Sequence, residues 1–162
     1  MRAGIKKVSS KSVNFDRLKT SSERTDATVR SMRGNRASQT RCEKLLKQNL
    51  LARGMTGYRL NRANLPGKPD ISFGRTKLAI FVHGCFWHTC PACSAAGKVR
   101  VPKTNIEYWT QKLARNESRF AEQSVELANL GWEVMVVWEC EIKRDLDAVI
   151  SRISSKLCDK TS

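Results

Sequence analysis

Four cysteines constrain the fold of this chain more than any other feature. Cys85, Cys90 and Cys93 lie within nine residues, and Cys140 stands far downstream. Two thiolates separated by two residues can bind one tetrahedral ion, and a distant fourth ligand lets that ion tie a loop to another element. Sulfur ligands favour Zn²⁺, and a site with all four positions filled is structural rather than catalytic. The alternatives are scattered core cysteines or a Cys-x-x-Cys redox pair.

The other candidate ligand is a histidine within the same segment. His88 lies between Cys85 and Cys90 and could replace one of the cysteines. Cys42 and Cys158 have no neighbouring cysteine, and we expect both to be buried thiols.

The net charge indicates a polyanionic partner. The 162 residues include 30 Lys or Arg and 15 Asp or Glu, a formal charge of +15, and such an excess raises the local concentration of polyanions. Nucleic acid is the leading candidate and an anionic membrane surface the weaker one. The chain has no run of about 18 apolar residues, which excludes a spanning helix, and its N-terminus lacks a secretory pattern. We therefore expect a cytoplasmic, nucleoid-associated protein with no membrane partner.

The charge pattern divides the chain into two parts. Residues 1–37 hold ten Lys or Arg against three acids, a net +7, with little apolar periodicity. This predicts a flexible basic N-terminal arm, with a solvated tail of no function as the alternative. Residues 38–162 are long and apolar enough for one folded domain.

Hydrophobic spacing predicts the element order α, β, β, α, β, α in this domain. The predicted elements are a helix over 40–52, strands over 71–73 and 78–82, a helix over 106–130, a strand over 132–138, and a helix carrying Leu146 to Leu157. The third strand is an unbroken apolar run, which is typical of a buried, parallel strand. The order predicts an α/β fold with a mixed central sheet flanked by helices.

Residues around the first two strands are candidates for phosphodiester hydrolysis, which needs a hard cation and a base or positioned water. Asp70 opens the first strand, and His83 and His88, the two histidines of the chain, follow the second. Histidine suits proton transfer at neutral pH, and Glu43 could reach the same place from the first helix. The alternatives are a turn carboxylate, a backbone-bonded histidine and, for Glu43, a capping box with Thr40.

Aromatic residues near the cysteines are candidates for contact with bases. Phe86 and Trp87 are adjacent on an expected surface loop, and Trp109 stands near Lys112 on the long helix. Exposed aromatics on a basic protein stack on bases or wedge between them, and lysine contacts phosphate. Core burial is the alternative for each aromatic. We expect burial for the two tryptophans in or beside the third strand, Trp132 and Trp138.

Taken together, these residues resemble the very short patch repair (Vsr) DNA mismatch endonucleases from about Ser31 to Cys140. The matching segments are Ser31-Met32, Thr40-x-x-Glu43, Leu65-Pro66-Gly67-Lys68-Pro69-Asp70, Val82-His83-Gly84-Cys85-Phe86-Trp87-His88, Pro102-Lys103-Thr104-Asn105, Tyr108-Trp109, Asn116 and Val137-Trp138-Glu139-Cys140. The segment from His83 to His88 is highly specific, and the shorter ones gain weight from their shared order.

The resemblance implies a PD-(D/E)xK nuclease-like fold and a Mg²⁺-dependent endonuclease. That enzyme nicks duplex DNA on the 5′ side of the thymine of a T:G mismatch. Asp70 then binds magnesium, His88 is the general base, His83 supports the active site, and Glu43 orients it through His88 or a water. The zinc positions are Cys85, Cys90, Cys93 and Cys140.

The same resemblance assigns the DNA contacts. Lys112 and Asn116 fall where family members contact the mismatch region, and Met32 where the N-terminal segment enters the minor groove. The aromatic wedge, which opens the duplex from the major groove, matches Phe86, Trp87 and Trp109.

The chain departs from the family pattern at a few positions. Asn35 stands where the family often has an apolar residue, and cysteines stand where it often has a histidine among the zinc ligands. Phe81 and His83 occupy the places of the acid and the lysine in the parent nuclease signature, which is the family's own deviation.

Two other functions fit the same residues. One is a sequence-specific restriction or nicking endonuclease that acts on matched DNA with this scaffold. The other is a non-catalytic zinc DNA-binding module. We expect a monomer whose partner is mismatched double-stranded DNA.

Overall fold

A computed structural model describes residues 41–99 and 105–159, all within one compact unit of the chain. The elements are α1 (Arg41–Ala52), β1 (Tyr58–Leu60), β2 (Ile71–Phe73), β3 (Leu78–His83), α2 (Pro91–Ala95), α3 (Ile106–Asn129), β4 (Glu133–Trp138), α4 (Glu139–Arg144) and α5 (Leu146–Cys158). The predicted basic arm, with Met32 and Asn35, and the proposed cap at Thr40 lie outside the described residues. Within them, no helix has the length and apolar character needed to cross a membrane.

The four strands form one mixed sheet in the order β1-β2-β3-β4. β1 and β2 pair antiparallel, as do β2 and β3, while β3 and β4 run parallel. The parallel register extends from Leu78 opposite Glu133 to His83 opposite Trp138, so both strands end at the same edge of the sheet. This edge also holds the start of β2, because Ile71 lies opposite Ile80 of β3.

Helices cover both faces of the sheet. On one face, α1, α4 and α5 pack against the strands through a core that includes Leu46, Ile80, Val137 and Ile153, all fully buried. On the other face, α3 contributes Leu127 and Phe120 to a smaller cluster. The strand residues of that cluster are Ala79, Phe81 and Val134. The predicted α/β fold with a mixed central sheet flanked by helices is therefore confirmed.

The six predicted elements are present, and three short ones were missed. β1 has three residues, too few for a periodic signal. α2 begins at Pro91, whose ring suits the first position of a helix. α4 follows β4 without a loop, and the Glu141 carboxylate accepts a 2.8 Å hydrogen bond from the backbone N–H of Trp138 at its start.

Burial differs from expectation at three residues. Trp132 and Trp138 are half-buried rather than enclosed, each at the margin of the sheet. Cys42 is buried as predicted, and its thiol lies 3.8 Å from a carboxylate oxygen of Glu139. The prediction for Cys158 was wrong, since this thiol is exposed. The apolar stripe of α5 faces the core. Cys158 follows Leu157 and is therefore turned by about 100° away from that stripe, which leaves its thiol exposed.

Candidate active site and nucleic-acid interface

Asp70 reaches the sheet edge through a tightly packed loop. Gly67 has a φ of +71°, and a Cβ there would lie 3.1 Å from the Phe81 ring, so glycine allows both the turn and the close approach. Pro69 is fully buried and precedes the strand. The Asp70 carboxylate then accepts a 2.7 Å hydrogen bond from the backbone N–H of Val82 in β3. One carboxylate oxygen is therefore anchored to the residue just before His83.

Asp70 and Glu43 line one small cleft, which we call the acidic cleft. Its other residues are Lys47, Leu60, Asn61 and Ile71. Burial raises the pKa of Asp70 to about 6, and the charge of Glu43 acts in the same direction, against the bond from Val82. The nearby charge of Glu43 thus disfavours the ionised form of Asp70, and a cation bound at the Asp70 carboxylate would offset this effect. Because carboxylate oxygens are the ligands that Mg²⁺ prefers, the chemistry of the cleft fits that ion.

The two histidines, His83 and His88, stack on each other where β3 ends at the edge of the sheet. Their ring centroids are 3.8 Å apart with 12° between the planes. His83 ends β3 and is only 5% exposed, with Phe120 of α3 at 4.4 Å. Burial lowers the pKa of His83 to about 3, and His88 adds to the effect. Burial and the charge of Arg119 also lower the pKa of His88. Both rings are therefore neutral at pH 7, and a neutral imidazole can accept a proton.

The four cysteines form a cluster whose sulfur atoms all lie within 4.8 Å of one another. The sulfur atoms of Cys90 and Cys140 are 3.7 Å apart. Tetrahedral Zn²⁺ with bonds of about 2.3 Å needs sulfurs roughly 3.8 Å apart, so these residues fit zinc. His88 is not part of the cluster, and its ring lies on His83 instead. A bound ion would join the loop after β3, and with it α2, to α4.

Three aromatic rings gather on the same loop and on α3. We call Phe86, Trp87 and Trp109 the aromatic cluster, since their ring centroids lie 5.0 to 5.8 Å apart. All three are half-buried, so each leaves part of its ring accessible. Tyr108 extends the cluster at 5.3 Å from Trp109 and is 45% exposed.

Lys112 lies over this cluster. Its ammonium is 5.2 Å from the ring centroids of both Trp87 and Trp109, and 3.4 Å from the hydroxyl oxygen of Tyr108. A cation held against aromatic faces in this way gains electrostatic energy from the rings. Charge and aromatic surface therefore coincide at one place.

A groove of about 520 Å³ continues from the cluster along α3, and we call it the basic groove. Its lining residues are Tyr108, Lys112, Arg115, Asn116, Ser118, Arg119 and Glu122. With three cations against one acid, this surface suits a negatively charged polymer. Within it, the Asn116 amide donates a 3.2 Å hydrogen bond to the Trp87 carbonyl, and Arg119 donates a 2.8 Å bond to Asn116 Oδ1.

Three residues at these sites were missed from the sequence. Lys47 follows Glu43 by four positions and Arg119 follows Asn116 by three, so helical spacing alone places each beside a residue already singled out. Asn61 follows β1, and the sequence carries no comparable signal for it.

The arrangement defines the class of protein. Carboxylate oxygens that fit a hard cation lie at one sheet edge together with a neutral imidazole. A basic, aromatic surface lies next to them. These are the parts of a DNA endonuclease.

Comparison with known proteins gives the family. The family model for DNA mismatch endonuclease Vsr matches residues 20–93. The Type II nicking enzyme V.XorIIP of Xanthomonas oryzae pv. oryzae is 40% identical over 122 residues, 75% of this chain and 85% of that relative. The DNA mismatch endonuclease Vsr of Escherichia coli is 33% identical over 133 residues, 80% and 82% of the two chains. The Type II nicking enzyme V.NaeI of Lentzea aerocolonigenes is 39% identical over 128 residues, 75% and 72%.

The chain therefore belongs to the Vsr family of DNA mismatch endonucleases, as its motifs indicated, and it is a DNA endonuclease. This assignment decides against a non-catalytic zinc DNA-binding module.

Proposed function

We propose that this protein nicks one strand of double-stranded DNA at a T:G mismatch, on the 5′ side of the thymine, in a Mg²⁺-dependent reaction that starts very short patch mismatch repair. The observation that carries the proposal is the adjacency of Trp87 and His88. Trp87 belongs to the aromatic cluster, and His88 stacks on His83. His83 directly follows Val82, whose backbone N–H donates to Asp70. A duplex opened by the cluster would therefore present its backbone to the proposed base.

Asp70, with Glu43 close by, is the residue we assign to Mg²⁺. When bound, the ion supplies polarisation of the phosphate and stabilisation of the charge that develops on it. The anchoring bond from Val82 holds one Asp70 oxygen and leaves the second for other partners. Glu43 keeps a further negative charge near the cleft, and we propose that it orients the site through His88 or a water.

We assign the proton transfer to His88. Its neutral imidazole accepts a proton from the attacking water, and attack on phosphorus expels the 3′ oxygen, which leaves a 5′-phosphate on the nicked strand. His83 is buried and packed by Phe120, so it fixes the plane of the His88 ring by stacking. On β3, Phe81 and His83 stand in the places of the acid and the lysine of the parent PD-(D/E)xK signature.

The four-cysteine cluster is proposed to hold structural Zn²⁺. Cys85 and Cys90 enclose the segment that carries Phe86, Trp87 and His88. Fixing this segment against Cys140 of α4 would hold both the aromatic cluster and the base in place. With four sulfur ligands, such an ion has no open position for substrate.

The aromatic cluster is proposed to enter the duplex beside the mismatch, with Lys112 and Asn116 contacting the DNA in the mismatch region. Met32, outside the described residues, is proposed to enter the minor groove. We further propose a monomeric, cytoplasmic enzyme that associates with the nucleoid, where its substrate is found.

A strand-resolved cleavage assay tests the proposal. Duplexes carrying T:G, or T:A in the same context, are labelled on each strand and incubated with and without Mg²⁺. We expect a nick in the thymine strand of the T:G duplex only, and only with the metal. Asp70→Ala and His88→Ala should each lower the rate by roughly 100-fold or more. Asp147→Ala, which removes an exposed acid of α5, is the matched control. Unchanged nicking in both active-site variants would refute the assignment.

Nicking of matched DNA at a particular sequence is the second candidate. It is favoured by relatives that are named Type II nicking enzymes, among them V.XorIIP and V.NaeI. The same panel separates the two, because this candidate requires cutting of T:A duplexes at one sequence. Equal cutting of T:G and T:A duplexes would favour it over mismatch specificity.

A further inference from the structure

Helix α3 makes one hydrogen-bonded path from the basic groove to the segment that carries the proposed base. Arg119 donates to Asn116 Oδ1 at 2.8 Å, and Asn116 Nδ2 donates to the backbone carbonyl of Trp87 at 3.2 Å. That carbonyl belongs to the peptide group that joins Trp87 to His88. The path therefore ends on the backbone between the aromatic cluster and the base.

The two bonds fix the orientation of the Asn116 amide from both sides. A guanidinium has donors only, so it must face the amide oxygen. A backbone carbonyl has no donor, so it must face the amide nitrogen. A reversed Asn116 amide would lose both bonds at once. Arg119 thus selects the orientation in which Asn116 holds the Trp87 carbonyl.

The peptide group is held from its other side by the turn that precedes it. The backbone N–H groups of Trp87 and His88 both donate to the Gly84 carbonyl, at 3.1 and 3.3 Å. These bonds shape the turn but do not tie it to α3. Lys112, one turn before Asn116, lies over the Trp87 ring. Asn116 therefore fixes the backbone of Trp87 while Lys112 faces its side chain.

We infer that Arg119 is a positioning residue: through the Asn116 amide it fixes the peptide between Trp87 and His88 and so couples the DNA-reading surface to the proposed base. The inference rests on the proposed function. Arg119 is exposed in the basic groove, so a plain phosphate contact is the competing role.

Arg115 offers a matched control. It lines the same groove and carries the same charge, but its Nε bonds within the helix to the Gln111 carbonyl at 3.4 Å. Arg115→Ala therefore measures what the loss of one groove charge costs. Arg119→Ala removes the bond to Asn116 and also the charge that adds to burial in lowering the pKa of His88, whereas Arg119→Lys keeps that charge and replaces the guanidinium by a single ammonium donor group. Asn116→Asp keeps an oxygen for Arg119 but has no N–H for Trp87.

Two measurements on the full-length, zinc-loaded protein test the inference. The first is the single-turnover nicking rate on the T:G duplex at saturating protein, with the Kd for the duplex measured separately. We expect Arg119→Ala to lower this rate roughly 10- to 100-fold beyond Arg115→Ala, as misplacement of a catalytic group does, and Arg119→Lys to restore part of it. A loss confined to the Kd, equal to that of Arg115→Ala, would overturn the inference and leave Arg119 a phosphate contact.

The second measurement needs no DNA. Amide hydrogen exchange of the segment from Gly84 to His88 should be faster in Arg119→Ala and in Asn116→Asp than in Arg115→Ala. Asn116 is also proposed to contact the DNA, so its nicking rate would not report on positioning alone. The Asn116→Asp variant is therefore compared only by hydrogen exchange. If the amides of this segment exchange no faster in Arg119→Ala and Asn116→Asp than in Arg115→Ala, the inference that Arg119 positions the peptide is overturned. If the wild-type protein nicks no duplex, the proposed function fails, while this comparison still decides whether Arg119 positions the peptide.

Discussion

The imidazole rings of His83 and His88 lie face to face, with centroids 3.8 Å apart and planes inclined by only 12°. Two charged rings at that distance would repel each other in a partly buried site, so the pair carries at most one positive charge near neutral pH. Burial makes His83 the ring that stays neutral, with a pKa near 3. His88 is left as the member that can exchange a proton with water.

The pH dependence of nicking should report the protonation of two groups, His88 in the stacked pair and Asp70 in the acidic cleft. The pKa of His88 lies below its usual value, and that of Asp70 is raised to about 6. As pH falls through 6, Asp70 takes up a proton and loses affinity for a cation, and protonation of His88 at acid pH removes the base. The rate should therefore fall on the acid side, starting near pH 6. Saturating Mg²⁺ should move the first part of this fall to lower pH, because metal and proton compete for Asp70. The nicking rate measured against pH at low and at high Mg²⁺ tests this shift. If the fall in rate on the acid side does not depend on the Mg²⁺ concentration, the role of Asp70 is contradicted.

Removal of the Asp70 charge should stabilise the metal-free protein. The pKa of Asp70 is raised from 3.8 to about 6 in the folded state. Its ionisation therefore lowers the free energy of unfolding progressively from pH 3.8 to 6 and fully above 6. Asp70→Asn should be more stable than wild type by about 1 to 3 kcal/mol at pH 8 and equally stable at pH 3.5. Urea unfolding at both pH values tests the sign.

Magnesium provides the control for that comparison. Binding to the folded state raises stability by mass action. Added Mg²⁺ should therefore raise the unfolding midpoint of the wild type but not that of Asp70→Asn. A stabilisation of equal size in both proteins would place the ion elsewhere.

The cysteine cluster should be required for both stability and nicking. Cys140→Ser removes the proposed ligand that would tie the loop after β3 to α4, and structural zinc contributes directly to folding free energy. We expect a lower melting temperature, loss of bound zinc, and loss of nicking that added Mg²⁺ does not restore. Cys158→Ser, which changes an exposed thiol outside the cluster, should match wild type in all three measurements. Full zinc content in Cys140→Ser would exclude Cys140 as a ligand.

Lys112 should contribute to DNA binding in a salt-dependent way. Each phosphate contact adds roughly 0.9 to the slope of log K against log salt. Lys112→Ala should flatten this slope by about that amount if the ammonium contacts phosphate. Lys156→Ala removes an exposed lysine that pairs with Glu133, and it should leave the slope unchanged. A Lys112→Ala variant with unchanged slope but reduced preference for T:G over T:A would instead show contact with a base.

Much of the fold could be predicted because its main elements carry strong periodic patterns. α3 repeats apolar residues from Trp109 to Leu127 along one face, and β4 is apolar from Val134 to Trp138 and pairs with a parallel partner. β1 could not be predicted, because its three residues gain their structure from pairing with β2. α4 was hidden by its direct start at the end of β4, where a cap from Glu141 replaces a loop.

The candidate site was predicted as a set of residues but not as a geometry. The spacing of the cysteines already indicated one cluster. The stack of His83 on His88 depends on how the loop turns back over β3, which no local pattern specifies. The path from Arg119 through Asn116 to Trp87 joins residues about 30 positions apart, and only the packing of α3 against the loop creates it.

The register of β3 and β4 has a consequence for when this enzyme becomes active. His83 lies opposite Trp138, and Cys85 and Cys140 each follow two residues later. A slip of one residue along this ladder would shift one sulfur by about 3.3 Å relative to the other and open the cluster. The cluster can therefore close only around correctly paired strands. The proposed zinc site, and with it the proposed cutting centre on the loop after β3, would therefore form only after these strands have paired in this register.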